Sequence, residues 1–381
     1  MFRFKESRGS SHHRQLSWRS KLAKKLESAS GLVGSWLVRD AHSDHGFLTS
    51  GSKDERLRFT RLYLASQDAK SSFSPRLSLD QTPFLLEMRQ KYGLVILDGL
   101  RVPNTLGEMV LRIPKFVSLI IDVPIKDEDL LRTLPPDRRN SYKYANSSDV
   151  EVKVTRSMDF VSEFFERYHG PTIHGSHGEE GHVLSLRHLR KILQCPDNEF
   201  MQIFKGGECL TAELCLRQRS TFRMYTTGWL HGSKEQLKGG IQSVRIWKAL
   251  TRARELGCNL LDLGGTPPFL DDGVFNFKMR WNARLNQARL TYGNHYLLID
   301  PAHPSIQSFF ANHPTVVYDR HNKLCIMSAN KPSEVQLRPS ILEGISSWWR
   351  LVSPEEAQDR DLSKAPTEDM PSGWCVRETL P

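Results

Sequence analysis

The spacing of apolar residues divides the chain into alternating, continuous and helical stretches. Leu57 to Leu64 (LRFTRLYL) and Val150 to Val154 (VEVKV) alternate and predict strands. Leu94 to Leu97 followed by Asp98-Gly99 predicts a strand and turn, and Val117 to Val123, an almost unbroken apolar run between Pro114 and Pro124, predicts a buried strand. Further on, Phe200 to Phe204, Leu210 to Gln218 and Thr221 to Trp229 form a meander, with Gly206-Gly207 supplying its first turn. Helical spacing is found in Thr82–Gln90, from about Asp127, in Asp159–Tyr168 (Phe160, Phe164, Phe165 and Tyr168 on one side) and in Leu184–Leu193. The longest such stretch is Ile241–Leu256, with Ile241, Val244, Trp247 and Ala253 on its apolar face and Gly257 as its stop. Leu290–Asp300 predicts late strands and residues 304–318 a last helix and strand. Residues 39–56, 66–78 and 170–182 are polar and rich in Gly, Ser or His, so loops are expected there. No internal repeat is visible.

One stretch departs from simple patterning. From Asn259 to Trp281 the chain reads NLLDLGGTPPFLDDGVFNFKMRW. An apolar run carries Asp262 in its middle and stops at Gly264-Gly265. Soon after comes the cluster Phe275, Phe277, Lys278, Arg280 and Trp281. A buried strand ending in a glycine pair lets another molecule approach the backbone closely. A lysine fixed among aromatics points to an anion or a developing charge. Lys278 and Asp262 are therefore candidate catalytic residues. Asp262 either orients a substrate amine or caps the loop through its backbone. Tyr225, near the end of the meander, is a third candidate as a proton donor, with a core aromatic as the alternative. Ahead of the long helix, Gln236, Lys238, Gly239, Gly240 and Ile241 make a glycine-bearing entry that can seat an anion on free N–H groups. Arg138, Arg139 and Lys143 lie at helical spacing and suit phosphates, or else form a solvated face.

Composition narrows the class. The chain has 381 residues and a formal net charge of +10. Its 39% hydrophobic and 25% charged content describe a globular protein, with no run near the roughly 20 apolar residues of a membrane span. Gly31 to Val38 is too short for a signal peptide, so a cytoplasmic location is expected. Much of the basic excess lies in the first 25 residues, where Arg3, Lys5, Arg8, Arg14, Arg19, Lys21, Lys24 and Lys25 face one acid, Glu6. Trp18, Leu22 and Leu26 can share a face of a basic amphipathic helix. That makes residues 1–26 either a peripheral contact with an anionic inner membrane face or RNA, or a frayed terminus. The six cysteines show no C-x-x-C pair and read as reduced, mostly buried thiols rather than a metal site. His169, His174, His177 and His182 are separated by glycines and read as a loop over a site rather than a metal centre.

The order of these parts carries a resemblance. Two strands around Gly206-Gly207, a third ending in Tyr225–Trp229, a glycine loop and helix, then LLDLGG and FNFKMRW, resemble the GNAT acyltransferase fold. More narrowly, they resemble its FemAB-like and BioF-like acetyltransferase branch. There an Asp-x-Gly-Gly strand end precedes a G…FK..W element, here Asp262, Gly264, Gly265, Gly273, Phe277, Lys278 and Trp281. The resemblance covers about residues 117–298. It implies a mixed α/β fold of two GNAT-like halves. The expected organisation is a basic, flexible segment (1–54), a reduced first half (55–125), an acyltransferase domain (126–300), a C-terminal segment packing on the core (301–352) and an acidic, disordered tail (353–381).

The resemblance implies acyl transfer to an amine of a cell-envelope or polysaccharide precursor, the acceptor being a small molecule or a lipid- or nucleotide-linked one. The donor would be an acyl-CoA, with acetyl-CoA expected, and no metal. Arg138, Arg139, Lys143, Phe277 and Trp281 would bind the substrate. One position departs from the GNAT cofactor loop: Ile241 stands where a Gly or Ala is usual, and its side chain would crowd a pyrophosphate. That leaves open an aminoacyl-tRNA donor on a peptidoglycan-type acceptor. It also leaves open a non-catalytic binding protein with a degenerate core.

Overall fold

The computed structural model of the chain describes residues 33–43, 45–50, 53–64, 68–77, 82–98, 106, 110–147, 149–177, 183–233, 240–287, 293–335, 339–352, 356 and 375–380. The basic segment 1–26 and Gln236, Lys238 and Gly239 of the helix entry lie outside the described residues.

Two mixed sheets form the α/β fold. Ten strands drawn from residues 33–114 and 294–378 make one, and seven strands between Val117 and Leu285 make the other. The crossing falls at Lys115-Phe116, between strands Val110–Pro114 and Val117–Asp122, so Val117–Asp122 belongs to the seven-stranded sheet. In that sheet Val117–Asp122 lies against Leu260–Thr266, which lies against Thr221–Trp229. The meander then continues outward through Glu208–Gln218 and Glu199–Lys205 to the edge strand Val150–Thr155. Thr221–Trp229 and Leu260–Thr266 run parallel, so the chain must cross over between them, and the 15-residue helix Ile241–Glu255 makes that crossover. Its buried stripe (Ile241, Val244, Trp247, Leu250, Ala253) packs into one core with Leu261, Leu263, Phe275 and Trp281.

Several segments differ from the patterning. Leu57–Leu64 is not a strand: helix Lys53–Phe59 continues as a π-helical turn, Thr60–Leu64. Its buried rings, Phe59 and Tyr63, are four residues apart, a helical spacing that local alternation concealed. Strands Gly46–Thr49 and Lys70–Leu77 stand where polar loops were expected, because pairing with Val33–Arg39 satisfies their backbone. The expected loop at 170–182 opens as helix Gly170–His177, anchored where Thr172 Oγ1 accepts from Trp229 N at 2.7 Å. In the expected tail, Cys375–Glu378 forms an edge strand beside Trp348–Leu351, clamped by Arg350, which binds both Glu356 and Glu378. The long helix, the meander and helix Pro304–Asn312 with strand Thr315–Tyr318 match the patterning closely.

Candidate active site

The parallel pair at the centre of the seven-stranded sheet separates partway along. Its ladder holds from Thr221/Leu260 to Arg223/Asp262 and then ends, although both strands continue. Both strands carry an extra residue at this level. Register against Glu208–Gln218 steps from Met224 to Thr226, leaving Tyr225 as the bulge, and register against Val117–Asp122 slips between Asp262 and Gly265. A bulge bends a strand and sharpens its twist, so two bulges side by side steer the pair apart. Gly264 has φ +77°, and a Cβ there would stand 2.6 Å from Met224 O. Only glycine fits that kink, which explains the sequence's Gly264 physically.

Two cavities open on either side of this split. The first, about 600 Å³, is lined by Met224, Tyr225, Trp229, Gln242, Arg245 and Lys278 among others, on the side of the long helix. The second, about 670 Å³, includes Phe116, His169, Leu184, His188, Tyr225 and Thr226. They share Ile173, Tyr225, Thr226 and Gly265, so they adjoin at the split. Two molecules entering from opposite sides would meet at the bulge.

Lys278 comes from the short helix Gly273–Met279, which Asp272 caps by accepting from Val274 N and Phe275 N at 2.9 Å. It is 9% exposed. Its Nζ donates to Gly264 O at 3.0 Å and Gly265 O at 2.8 Å, so two of its three donors hold the strand end. Burial brings its pKa down to about 8; Asp262 and Glu213 oppose this, while Arg245 and Arg223 reinforce it. Asp262 is fully buried. Its Oδ1 accepts from Ser118 Oγ at 2.5 Å and from Gly264 N at 2.8 Å, and its Oδ2 lies 3.6 Å from Arg223 Nε. Asp262 thus caps the kink through the backbone and does not line either cavity.

Tyr225 lines both cavities, and its hydroxyl lies 3.0 Å from His188 Nε2. His169 is buried, accepts from Leu184 N at Nε2 (3.0 Å) and lies 3.3 Å from Thr226 Oγ1 through Nδ1. The accepting Nε2 leaves the proton of the neutral ring on Nδ1. The patterning missed His188, a single histidine on an amphipathic helix, and also Glu213 and Arg245, which read as ordinary strand and helix charges. Their pairing across 32 positions has no local signal.

The remaining candidates divide. Phe277 lines the first cavity, while Trp281 is wholly buried against Trp247 at 5.3 Å. Arg138 lies over the Phe277 ring at 4.6 Å and donates to Ser243 Oγ at 2.8 Å, tying the two helices together. Arg139 and Lys143 are exposed on helix Pro136–Ala145, and none of these three bases lines either cavity. Gly240 begins the long helix at φ +74°, and a Cβ there would meet no described atom within 4 Å. Ile241 is 1% exposed and points into the core, so its side chain does not crowd the helix mouth. The described residues contain no group of three His, Cys, Asp or Glu side chains placed to hold a metal. No helix among them is long and apolar enough to cross a membrane.

No family model and no curated protein matches the chain. Among solved structures it is similar to FemX at 12% identity, over 69% of this chain and 83% of that one, with a TM-score of 0.37. It is also similar to L-PGS from Bacillus licheniformis, at 15% identity over 56% and 70% with a TM-score of 0.35. A GCN5-related N-acetyltransferase from Sphaerobacter thermophilus overlaps at 8% identity over 70% and 75% with a TM-score of 0.33.

Proposed function

We propose that this protein is an N-acyltransferase that moves an acyl group from an acyl-CoA to an amine across the split between Thr221–Trp229 and Leu260–Thr266. One observation carries the reading: two cavities adjoin at the split beside a bulged tyrosine, with a buried lysine behind it. The long-helix side suits the donor. The start of a 15-residue helix offers N–H groups and partial positive charge to a diphosphate, and Ile241, turned into the core, does not crowd it. The acceptor amine would enter beside His188 and Tyr225.

The nitrogen lone pair attacks the acyl carbon, the N–C bond forms, and the C–S bond breaks to release the thiolate. Tyr225 would take the amine's proton as its own passes to His188 Nε2. The third Lys278 N–H is free to meet the developing oxyanion, and burial strengthens that contact. Asp262 would set the kink rather than move protons. The net charge of +10 favours a second reading, in which an aminoacyl-tRNA is the donor onto an amine of an envelope precursor. Separate assays with radiolabelled acetyl-CoA and with charged tRNA test both. Transfer from the thioester is expected; binding of tRNA with a steep salt slope would instead select the second reading. Failure of both donors to bind or react overturns the proposal.

A further inference from the structure

Before any oxyanion develops, the donor-side cavity and the residues behind it hold one more cation than carboxylates. Glu213, 2% exposed, comes from strand Glu208–Gln218 and is held by Arg245 Nη1 from the long helix. Arg245 also packs its guanidinium over the Trp229 ring at 5.3 Å. Both residues line the first cavity together with Lys278. Behind them Arg223 is paired with Asp262. With Arg245 largely enclosed and the other four buried, the set holds three cations and two carboxylates. A buried cation without a counter-charge is strongly unfavourable. The Arg245 guanidinium lines the cavity, and until an oxyanion develops Lys278 has one N–H beyond its two carbonyl contacts to offer there.

We infer that this cavity binds a carboxylate of the substrate in the ground state, beside the Arg245 guanidinium and Lys278 Nζ. The inference rests on the acyltransferase reading, and it names the class of substrate: one carrying a free carboxylate close to the reacting carbonyl or amine. Two sources fit that chemistry. The acyl group can be a dicarboxylic monothioester, or the acceptor can be an amino acid whose α-carboxylate reaches through the split.

Binding to the free protein tests this without any need for turnover. Acetate, succinate and inorganic phosphate are titrated against the full chain, with protection of Lys278 from acylation by acetic N-hydroxysuccinimide ester as the readout. Protection by the carboxylates is expected. Arg245→Gln should weaken it about thirty-fold or more, as loss of one partner in a buried charge pair does. Glu213→Gln should act in the opposite direction and tighten it, because it removes a competing negative charge. Simple damage to the fold cannot give opposite signs, and a melting curve on each variant excludes unfolding. No protection by any anion, preference for phosphate over carboxylate, or weakening in both variants overturns the inference. Failure of the acyltransferase reading shows separately, as carboxylate protection with no transfer from any thioester. In the transfer assay, preference for a succinyl over an acetyl thioester assigns the carboxylate to the donor. Preference for an amino acid over its amide assigns it to the acceptor.

Discussion

Both sheets contain parallel strand pairs, yet only one of them opens. In the ten-stranded sheet, Gly46–Thr49 runs parallel to Leu94–Asp98, and Leu324–Ser328 to Trp348–Leu351, each in continuous register. Its partly buried polar group, Glu55 with Lys115 at 2.7 Å and the buried His295 at 4.0 Å, lines neither of the two cavities at the split. In the seven-stranded sheet the parallel pair carries a bulge on each strand and diverges after three residue pairs. Glu213, Arg245 and Lys278 face a cavity there. A parallel pair alone therefore makes no site. The candidate site lies where two bulges coincide and charged side chains face a cavity.

Four experiments test that contrast. Gly264→Val should have the largest effect. It forces a β-branched residue to φ +77° with its Cβ 2.6 Å from Met224 O. A loss on the order of 4 kcal/mol in urea unfolding is expected. A near-neutral result would show that the kink is not what holds the strands. Next comes Lys278→Met, which should keep the fold but lower kcat by about 10² to 10³, the range for loss of one oxyanion donor. In the unaltered protein the ammonium form is present below a pKa of about 8 and lost above it, so activity should decline as pH rises through that value. An alkaline limb unchanged by the substitution would sever Lys278 from the chemistry.

The third experiment concerns the closed sheet. Burial brings the His295 pKa down from 6.5 to about 4, partly opposed by Glu55. The folded state therefore holds the ring neutral while the unfolded chain protonates first. The contribution to stability is complete above pH 6.5 and is lost as pH falls towards 4, amounting to about 3 kcal/mol by linkage. His295→Phe should flatten that acid slope and leave transfer activity unaltered at neutral pH. An activity loss there would place the closed sheet in the chemistry. The smallest effect is expected from Tyr225→Phe and His188→Gln, each lowering kcat by about 10². Because the two act as one relay, the double variant should cost little more than either alone, and full additivity would separate them.

The fold was more legible than the site. Strands Val117–Asp122, Thr221–Trp229 and Leu260–Thr266 and helix Ile241–Glu255 follow from apolar spacing, since each buries its own face in one core. The strands at 46–49 and 70–77 were hidden, because polar segments become strands only when a neighbour satisfies their backbone. Among the candidates, Lys278 was visible through its aromatic setting, and Tyr225 through its place at the end of the meander. Arg138 and Trp281 looked like substrate binders but are packing residues, for an arginine stacked on a buried ring reads in sequence like one awaiting a phosphate. His188, Glu213 and Arg245 gave no local sign.

By itself the sequence determined which segments could be buried, and it marked Asn259–Trp281 as unusual, because burial and backbone approach depend on local side-chain size and polarity. The tertiary structure alone decided that Asp262 caps a kink, that Ile241 turns away from the helix mouth, and that three cations meet two carboxylates beside the split. Those facts depend on strand register and on contacts between residues far apart in the chain. Electrostatic energy is set by distances in space, and spacing along the chain does not encode them.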